Sequence, residues 1–303
     1  MKNKVMTMKK AVKTYVNHGN TIVIEGFTHL ICFAAGHEII RQNIKDLVAC
    51  RLTPDLIYDQ MIAAGCVRKV VFSWAGNPGI GPLYGLRRAV EKGIPRHIDL
   101  EEYTHFGMVA RFMAGASKLP FMHLNSFSGS SLPEKNKKIK NVICPYTGKV
   151  FATVPALNPD VAIIHVQRVD EEGNSQIWGL MGVQREAAFA SNKVIVVAEE
   201  LVDRSVIRSD PNRTLIPGMK VDAVVIEPFG AHPSYAQGYY DRDNRFYVEW
   251  YKISKDQKSM DKYIAEWIYG ISGRKDYIKK LGNESVSQLR ADQRLAAPVN
   301  YGY

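Results

Sequence analysis

Residues Thr21–Arg41, TIVIEGFTHLICFAAGHEIIR, decide how the chain reads. Thr21–Ile24 is a short β-rich apolar run, the mark of a strand buried on both faces. Gly26 interrupts it. Phe27, Thr28 and His29 follow, and then Phe33, Ala34, Ile39 and Ile40 fall on one side of a helix-like run. Strand, glycine, helix is one unit of α/β architecture, and open α/β sheets bind ligands at the carboxyl ends of their strands. Gly26 has no Cβ, so the backbone can bend sharply and a ligand can come close. A plain strand-to-helix turn satisfies the same letters. The stretch has neither the G-x-G-x-x-G spacing of a dinucleotide loop nor the Gly-Lys-Ser/Thr ending of a P-loop.

The same alternation continues outward. Residues 7–18 read as a helix stopped at His18-Gly19. Asp46–Leu52 reads as a second strand, and Pro54 opens a short amphipathic helix that ends at Gly65. Lys69–Ser73 is a third strand, running into AGNPGIGPLYG, whose glycines and prolines demand a shaped loop. Leu83–Lys92 is helical, Ile98–Tyr103 a strand and Phe106–Ser117 a helix. Pro120–Phe127 is a strand leading into a second Gly/Ser loop, Ser128–Pro133. Val142–Pro155 carries Tyr146-Thr147-Gly148-Lys149 between β-rich flanks and reads as a hairpin. Val161–Val166, Val194–Ala198 and Ala223–Ile226 are buried strands. Asp170–Asn174 is a turn and Ser175–Trp178 a short returning strand. Leu180–Asn192 reads as helical, Arg204–Lys220 as a long polar connection, and residues 244–282 as two or three helices.

These elements predict an α/β fold: an open, mostly parallel sheet with helices on both faces, a small β-hairpin insertion and a helical C-terminus. The expected organisation is a single domain over residues 1–283, followed by a tail over 284–303 without a strong pattern.

Composition narrows the function. The 303 residues carry a formal net charge of +10 with scattered Lys and Arg, clustered once at Lys135–Lys140. No RNP-like, zinc-finger or helix-turn-helix pattern accompanies that charge, so nucleic acid is not the expected partner. A positive field equally suits an anionic small ligand. No apolar run is long enough to span a membrane, and the basic N-terminus leads into no apolar signal core, which predicts a cytoplasmic protein. Cys32, Cys50, Cys66 and Cys144 form no C-x-x-C pair, so they read as reduced core residues rather than a metal site, and no metal is expected.

Assembled in order, several motifs resemble the A subunit of class I coenzyme A-transferases, and the glutaconate CoA-transferase A subunit in particular. They are EGFT at 25–28, the glycine loop around Ser73–Gly79, EEY at 101–103, LPF at 119–121 and GSSL at 129–132. VAIIHVQ at 161–167, EGNSQIWG at 172–179, PGMKVDAVV at 217–225 and GAHPS at 230–234 complete the series. The likeness runs from about Val5 to Leu281. It implies a NagB/RpiA/CoA-transferase-like fold and a B-subunit partner in an A2B2 or larger assembly. It also implies a coenzyme A thioester as substrate rather than a permanently bound cofactor, and transfer of CoA to a small carboxylic or dicarboxylic acid. In such enzymes a B-subunit glutamate attacks the thioester, and an acyl anhydride and then a glutamyl-CoA thioester form. Covalent catalysis of this kind divides one hard acyl transfer into easier steps.

This chain has no Ser-Glu-Asn-Gly-like nucleophile motif, so no catalytic nucleophile is expected on it. The resemblance places Gly26, Phe27, Thr28 and His29 on the acyl-binding side of a crevice. Ser73 and Asn77 would supply hydrogen bonds there, and Gly129, Ser130 and Ser131 a loop of small donors. Hydroxyls, amides and free N–H groups can bind a carboxylate without a buried cation. For each residue an ordinary structural role stays open: His29 as a core histidine, Ser128–Ser131 as a turn. His165 reads as a satisfied core histidine, His232 as a turn or subunit-contact residue, and Trp178 as packing. Glu199 and Glu200 read as structural. Glu101 or Glu102 could act as a general base in a divergent member. Two alternatives remain: an acyl-CoA hydrolase, C–C bond-cleaving or decarboxylating subunit of the same fold, and a non-catalytic CoA- or sugar-phosphate-binding subunit.

Overall fold

The structure is a computed structural model that describes residues 3–127 and 129–291. Its centre is a sheet with strands β1 (Thr21–Glu25), β2 (Leu47–Cys50), β3 (Val67–Phe72) and β4 (Asp99–Glu102) on one side. A separate three-stranded sheet contains β5 (Phe121–Leu124), β6 (Lys140–Ile143) and β7 (Val150–Pro155), in the order β5-β7-β6. The central sheet resumes with β8 (Val161–Val169), β9 (Ser175–Gln176), β10 (Lys193–Leu201), β11 (Thr214–Ile216) and β12 (Ala223–Ile226). Its parallel strands run β12-β10-β8-β1-β2-β3-β4, and β9 and β11 form an antiparallel extension at the end of β8.

Helices cover both faces: α1 (Met8–Tyr15), α2 (Phe33–Arg41), α3 (Leu56–Ala63), α4 (Tyr84–Lys92), α5 (His105–Ala116), α6 (Leu132–Lys135), α7 (Gln184–Ala190) and α8 (Arg204–Ser209). The chain closes with α9 (Asn244–Lys255), α10 (Gln257–Ile264), α11 (Arg274–Leu281) and α12 (Asn283–Leu289). The double burial read from Thr21–Ile24 is visible residue by residue. Ile22 and Ile24 pack with the helices of one face, including α2, α3 and α9. Val23 packs on the other face with side chains of α5 and α7. Successive strand side chains point to opposite sides, so a strand covered on both has no polar alternation. Local signals set the helix ends: the Thr104 hydroxyl accepts the Gly107 N–H at 3.0 Å to cap α5, and Gly65 follows α3 at φ +69°.

Four expectations change. Leu180–Asn192 is not helical throughout: α7 begins at Gln184, because Gly179, at φ +94°, and Gly182 bracket an irregular segment. The segment from Glu284 is not featureless, since Asn283–Leu289 is α12; residues 292–303 of the expected tail lie outside the described residues. The strand at Pro120–Phe127 is confined to Phe121–Leu124 and joins the hairpin rather than the central sheet. Cys32, Cys50 and Cys66 are buried free thiols, but Cys144 is half-buried in the β6–β7 turn. Among the described residues, no helix is long and apolar enough to cross a membrane.

Candidate active site

The β1–α2 turn is built under constraint. A Cβ at Gly26 would lie 2.6 Å from the His29 carbonyl oxygen and 2.8 Å from that of Leu30, so the chain's own backbone requires glycine here. Thr28 and Leu30 have positive φ, 55° and 56°. Such backbone costs on the order of 1–3 kcal/mol for a non-glycine residue and persists where its surroundings hold it. The hold comes from the GAHPS segment. Ser234 donates its hydroxyl to the Thr28 carbonyl at 2.8 Å, and Leu30 donates its N–H to the Tyr235 carbonyl at 2.9 Å.

His29 completes the clamp and does not face a ligand. It is fully buried. Its Nδ1 lies 2.8 Å from the Leu180 carbonyl and its Nε2 accepts the Gln237 N–H at 3.1 Å, which assigns the ring proton to Nδ1. Burial lowers its pKa to about 4, so the ring stays neutral at physiological pH. The expectation that His29 lines a crevice is therefore corrected: both nitrogens are spent joining β1's turn to the 179–183 segment and the 235–240 loop.

Phe27 does reach open space. It lines a cleft of about 400 Å³ with Leu52, His105, Val109, Met113, Leu180, Met181, Val183 and Glu186. The cleft lies where β1 and β2 end and α5 begins, at the carboxyl edge of the sheet. Its walls are mostly apolar, with the half-buried Glu186 carboxylate on one side. The imidazole of His105 is a polar group at the first residue of α5, 5.9 Å from the Phe27 ring. Ser73, at the end of β3, positions that imidazole. Its hydroxyl donates to the Leu52 carbonyl at 2.6 Å, and its oxygen lies 3.1 Å from His105 Nδ1. With the hydroxyl proton committed to Leu52, Nδ1–H is the donor to Ser73, and Nε2 is left for a ligand. A mostly apolar slot with an oriented imidazole suits a short acyl chain with a polar end.

The remaining site residues are placed differently. Asn77 is buried, with its amide donating to the Tyr247 carbonyl at 2.8 Å, so it fastens the glycine loop to α9 rather than serving the crevice. Gly129, Ser130 and Ser131 are exposed beside α6 and do not line this cleft; Ser130 uses its hydroxyl to accept the Leu132 N–H at 3.1 Å. Ser128 lies outside the described residues. Sequence reasoning missed His105, whose signal was its position just after a strand and a Thr cap. It also missed Leu180–Val183, whose signal was Gly179 just before and Gly182 just inside an assumed helix.

Two buried carboxylates lie near these strand ends. Glu25 is fully buried behind Gly182; desolvation raises its pKa to about 7 against the pull of Arg51 and N–H bonds from Gly26 and Val183. Arg51, itself buried, donates to the Gly26 carbonyl and pairs with Asp55 at 2.9 Å. Glu101 is the opposite case. It accepts from Tyr103 at 2.8 Å and meets Arg111 at 2.9 Å, Lys138 at 2.8 Å and Lys69 at 2.5 Å. Burial raises its pKa, but those partners outweigh it and hold the group down at about 2. A carboxylate so occupied is no general base, which corrects that suggestion for Glu101. Glu102 points outward from the exposed side of β4.

The other singled-out residues are structural. His165 Nε2 lies 2.6 Å from Glu199, which also accepts from Tyr240 at 2.5 Å and from the Phe229 N–H at 2.8 Å. His232 is buried between Tyr277 at 2.9 Å and Asp243 at 3.1 Å, so it is a core residue and not a subunit contact. The Trp178 ring is contacted by the guanidinium groups of Arg168 and Arg213, 5.6 and 5.3 Å from its centroid.

The chain has relatives among known proteins. The family model described as coenzyme A transferase matches residues 5–227. The chain is 47% identical over 277 residues to the A subunit of the 3-oxoadipate CoA-transferase of Pseudomonas knackmussii, covering 91% of this chain and 98% of the relative. It is 33% identical to the A subunit of the glutaconate CoA-transferase of Acidaminococcus fermentans over 95% of each. The crystal structure of that glutaconate coenzyme A-transferase superposes with a TM-score of 0.91 over 95% of this chain and 96% of the other. A decarboxylase, AibA/AibB, superposes with a TM-score of 0.73 at 26% identity, covering 88% of this chain and all of the other. The α/β sheet, the cleft at its carboxyl edge and these matches together establish that the chain belongs to the coenzyme A transferase family.

Proposed function

We propose that this chain is the A subunit of a heteromeric CoA-transferase that moves CoA between an acyl-CoA and a small dicarboxylic acid or its 3-oxo derivative. The observation that carries the reading is the Phe27–His105 cleft: a preformed acyl-sized slot at the strand ends, on a chain without a Ser-Glu-Asn-Gly-like nucleophile motif. The chemistry then needs a carboxylate from outside, which a B subunit supplies as the glutamate that becomes acylated and then carries CoA. His105 Nε2 binds the polar end of the acyl group, and Phe27, Leu52 and Met181 exclude water from the thioester. The 47% identical relative, named for 3-oxoadipate, supports the dicarboxylate choice. We assign the complex an A2B2 or larger stoichiometry and a cytoplasmic location, with CoA as substrate and no resident cofactor.

The test is co-expression with a B subunit of the same family, then a transfer assay with succinyl-CoA and acetyl-CoA against a panel of mono-, di- and 3-oxo acids. CoA transfer to C5–C6 dicarboxylates by the pair, and by neither chain alone, is expected. A pure complex that holds the partner's glutamate yet transfers CoA to none of these acids would overturn the reading.

A further inference from the structure

A second cavity, of about 670 Å³, lies away from the cleft, between α5 and the small β5-β7-β6 sheet. His105, Val109 and Met113 face the cleft, whereas Arg111 lines this cavity, as helical spacing requires of Val109 and Met113, each about 200° from it around the helix. Phe121, Val142 and Pro155 form apolar walls, and Lys137, Lys138 and Lys140 stand around them. Arg111 is 4% exposed. Its Nε donates to the Pro155 carbonyl at 3.1 Å and its Nη1 to Glu101 at 2.9 Å, while Nη2 has no hydrogen-bond partner among the described residues.

The charge balance is uneven. Arg111, Lys69 and Lys138 all converge on the single carboxylate of Glu101. Lys137 and Lys140 have no ion-pair partner among the described residues. A cavity with apolar walls, a buried guanidinium and several cations beyond its one anion is matched by a ligand with a flat apolar part and more than one negative charge. Arginine and lysine together favour phosphate over a lone carboxylate, because a phosphate ester presents several charged oxygens.

We infer that this cavity binds a phosphorylated planar ligand of the nucleotide class, with Arg111 at its floor and Lys137 and Lys140 engaging phosphate. Two sources share that chemistry: the 3′-phosphoadenosine end of the CoA substrate, and a free nucleotide. The inference rests on the transferase reading for the first source alone.

The experiment uses the full chain and, separately, its complex with the B-like subunit. Adenosine 3′,5′-bisphosphate, inorganic pyrophosphate and adenosine are titrated by calorimetry at two salt concentrations. The bisphosphate is expected to bind at one site, adenosine at least tenfold more weakly, and raised salt to weaken the bisphosphate further. A Lys137→Glu/Lys140→Glu variant should lose at least tenfold in affinity, and the milder Lys137→Gln/Lys140→Gln variant a smaller amount. Lys252→Glu/Lys258→Glu, the same charge change on α9 and α10, should bind as the parent does. Absence of saturable bisphosphate binding, or equal losses in the groove and control variants, overturns the inference, the latter by reducing it to the general field of a +10 chain. If the groove variant also raises KM for acyl-CoA at unchanged kcat, CoA is the source. If it loses bisphosphate with KM unchanged, a free nucleotide is. Binding is read without turnover, so a failed transfer assay leaves this result standing.

Discussion

Glu25 and Glu101 are both buried carboxylates on neighbouring parts of one sheet, and they titrate in opposite directions. Among the described residues, Glu25 shares its one nearby cation, Arg51, with Asp55, and its Oε2 has no hydrogen-bond partner; burial wins and the pKa rises to about 7. Glu101 has three cations and a tyrosine hydroxyl; they outweigh burial and the pKa falls to about 2. Both depth and the supply of donors separate them: Glu25 is sealed in with one cation, whereas Glu101 meets three, of which Lys69 and Lys138 reach solvent. Beside the cleft the chain keeps a carboxylate underpaired, and beneath the basic groove it overpairs one.

Removing the shared cation breaks the contrast hardest. Arg51→Met strands Asp55 and Glu25 in the interior and frees the Gly26 carbonyl, so a loss of about 3–5 kcal/mol is expected in urea denaturation at pH 7.5, as for other broken buried pairs. A loss under about 1 kcal/mol would mean the cluster is already hydrated.

Glu25 comes next, with a defined sign. Its folded pKa lies above the unfolded value of 4.5, so the folded state keeps a proton that the unfolded chain gives up. Stability from this group is full below about pH 4.5 and declines as pH rises toward about 7. Glu25→Gln should remove that decline, so its stability relative to the parent rises between pH 5 and pH 7.5, by up to about 3 kcal/mol. Parallel pH–stability curves for the two proteins would contradict the assignment. Hydrogen exchange at residues 26–29 and 180–183 gives a local check, because Glu25 accepts N–H groups from both sides of the cleft.

Glu101 should show the reverse sign. Its folded pKa is depressed, so its contribution is present above the unfolded pKa and lost as pH falls through about 2. Glu101→Gln is expected to cost about 1–2 kcal/mol at pH 7, the scale of a charge-assisted hydrogen bond reduced because Lys69 and Lys138 reach solvent. The smallest effect is Lys138→Ala. Its side chain is 52% exposed, so a loss of about 0.5 kcal/mol or less is expected, and 0.5 M salt should erase it.

These contrasts also mark what the sequence can and cannot carry. The sheet was legible because Thr21–Ile24, Val161–Val166 and Val194–Ala198 lack polar alternation, and burial on both faces is a property each strand shows by itself. The turn at Gly26 was legible as a turn, but its reason was not: the close contact is with the carbonyls of His29 and Leu30, a backbone geometry that no residue pattern encodes. Phe27 and Ser73 were singled out because strand ends are where ligands bind, and the fold sets Phe27 in the cleft wall and Ser73 against His105. His105 escaped notice because its role comes from a 3.1 Å meeting with Ser73, 32 positions away. His29 and Asn77 were assigned to the crevice for their chemistry, and the fold turned that chemistry inward, toward Gln237 and Tyr247. Residue type announces what a side chain can bond; long-range packing decides with whom.

The most direct test of the shared-site reading is the mass of each chain after the co-purified complex meets acyl-CoA without an acceptor acid. CoA joined covalently to the partner subunit, with this chain's mass unchanged, is the expected result. CoA or acyl joined to this chain instead would contradict it.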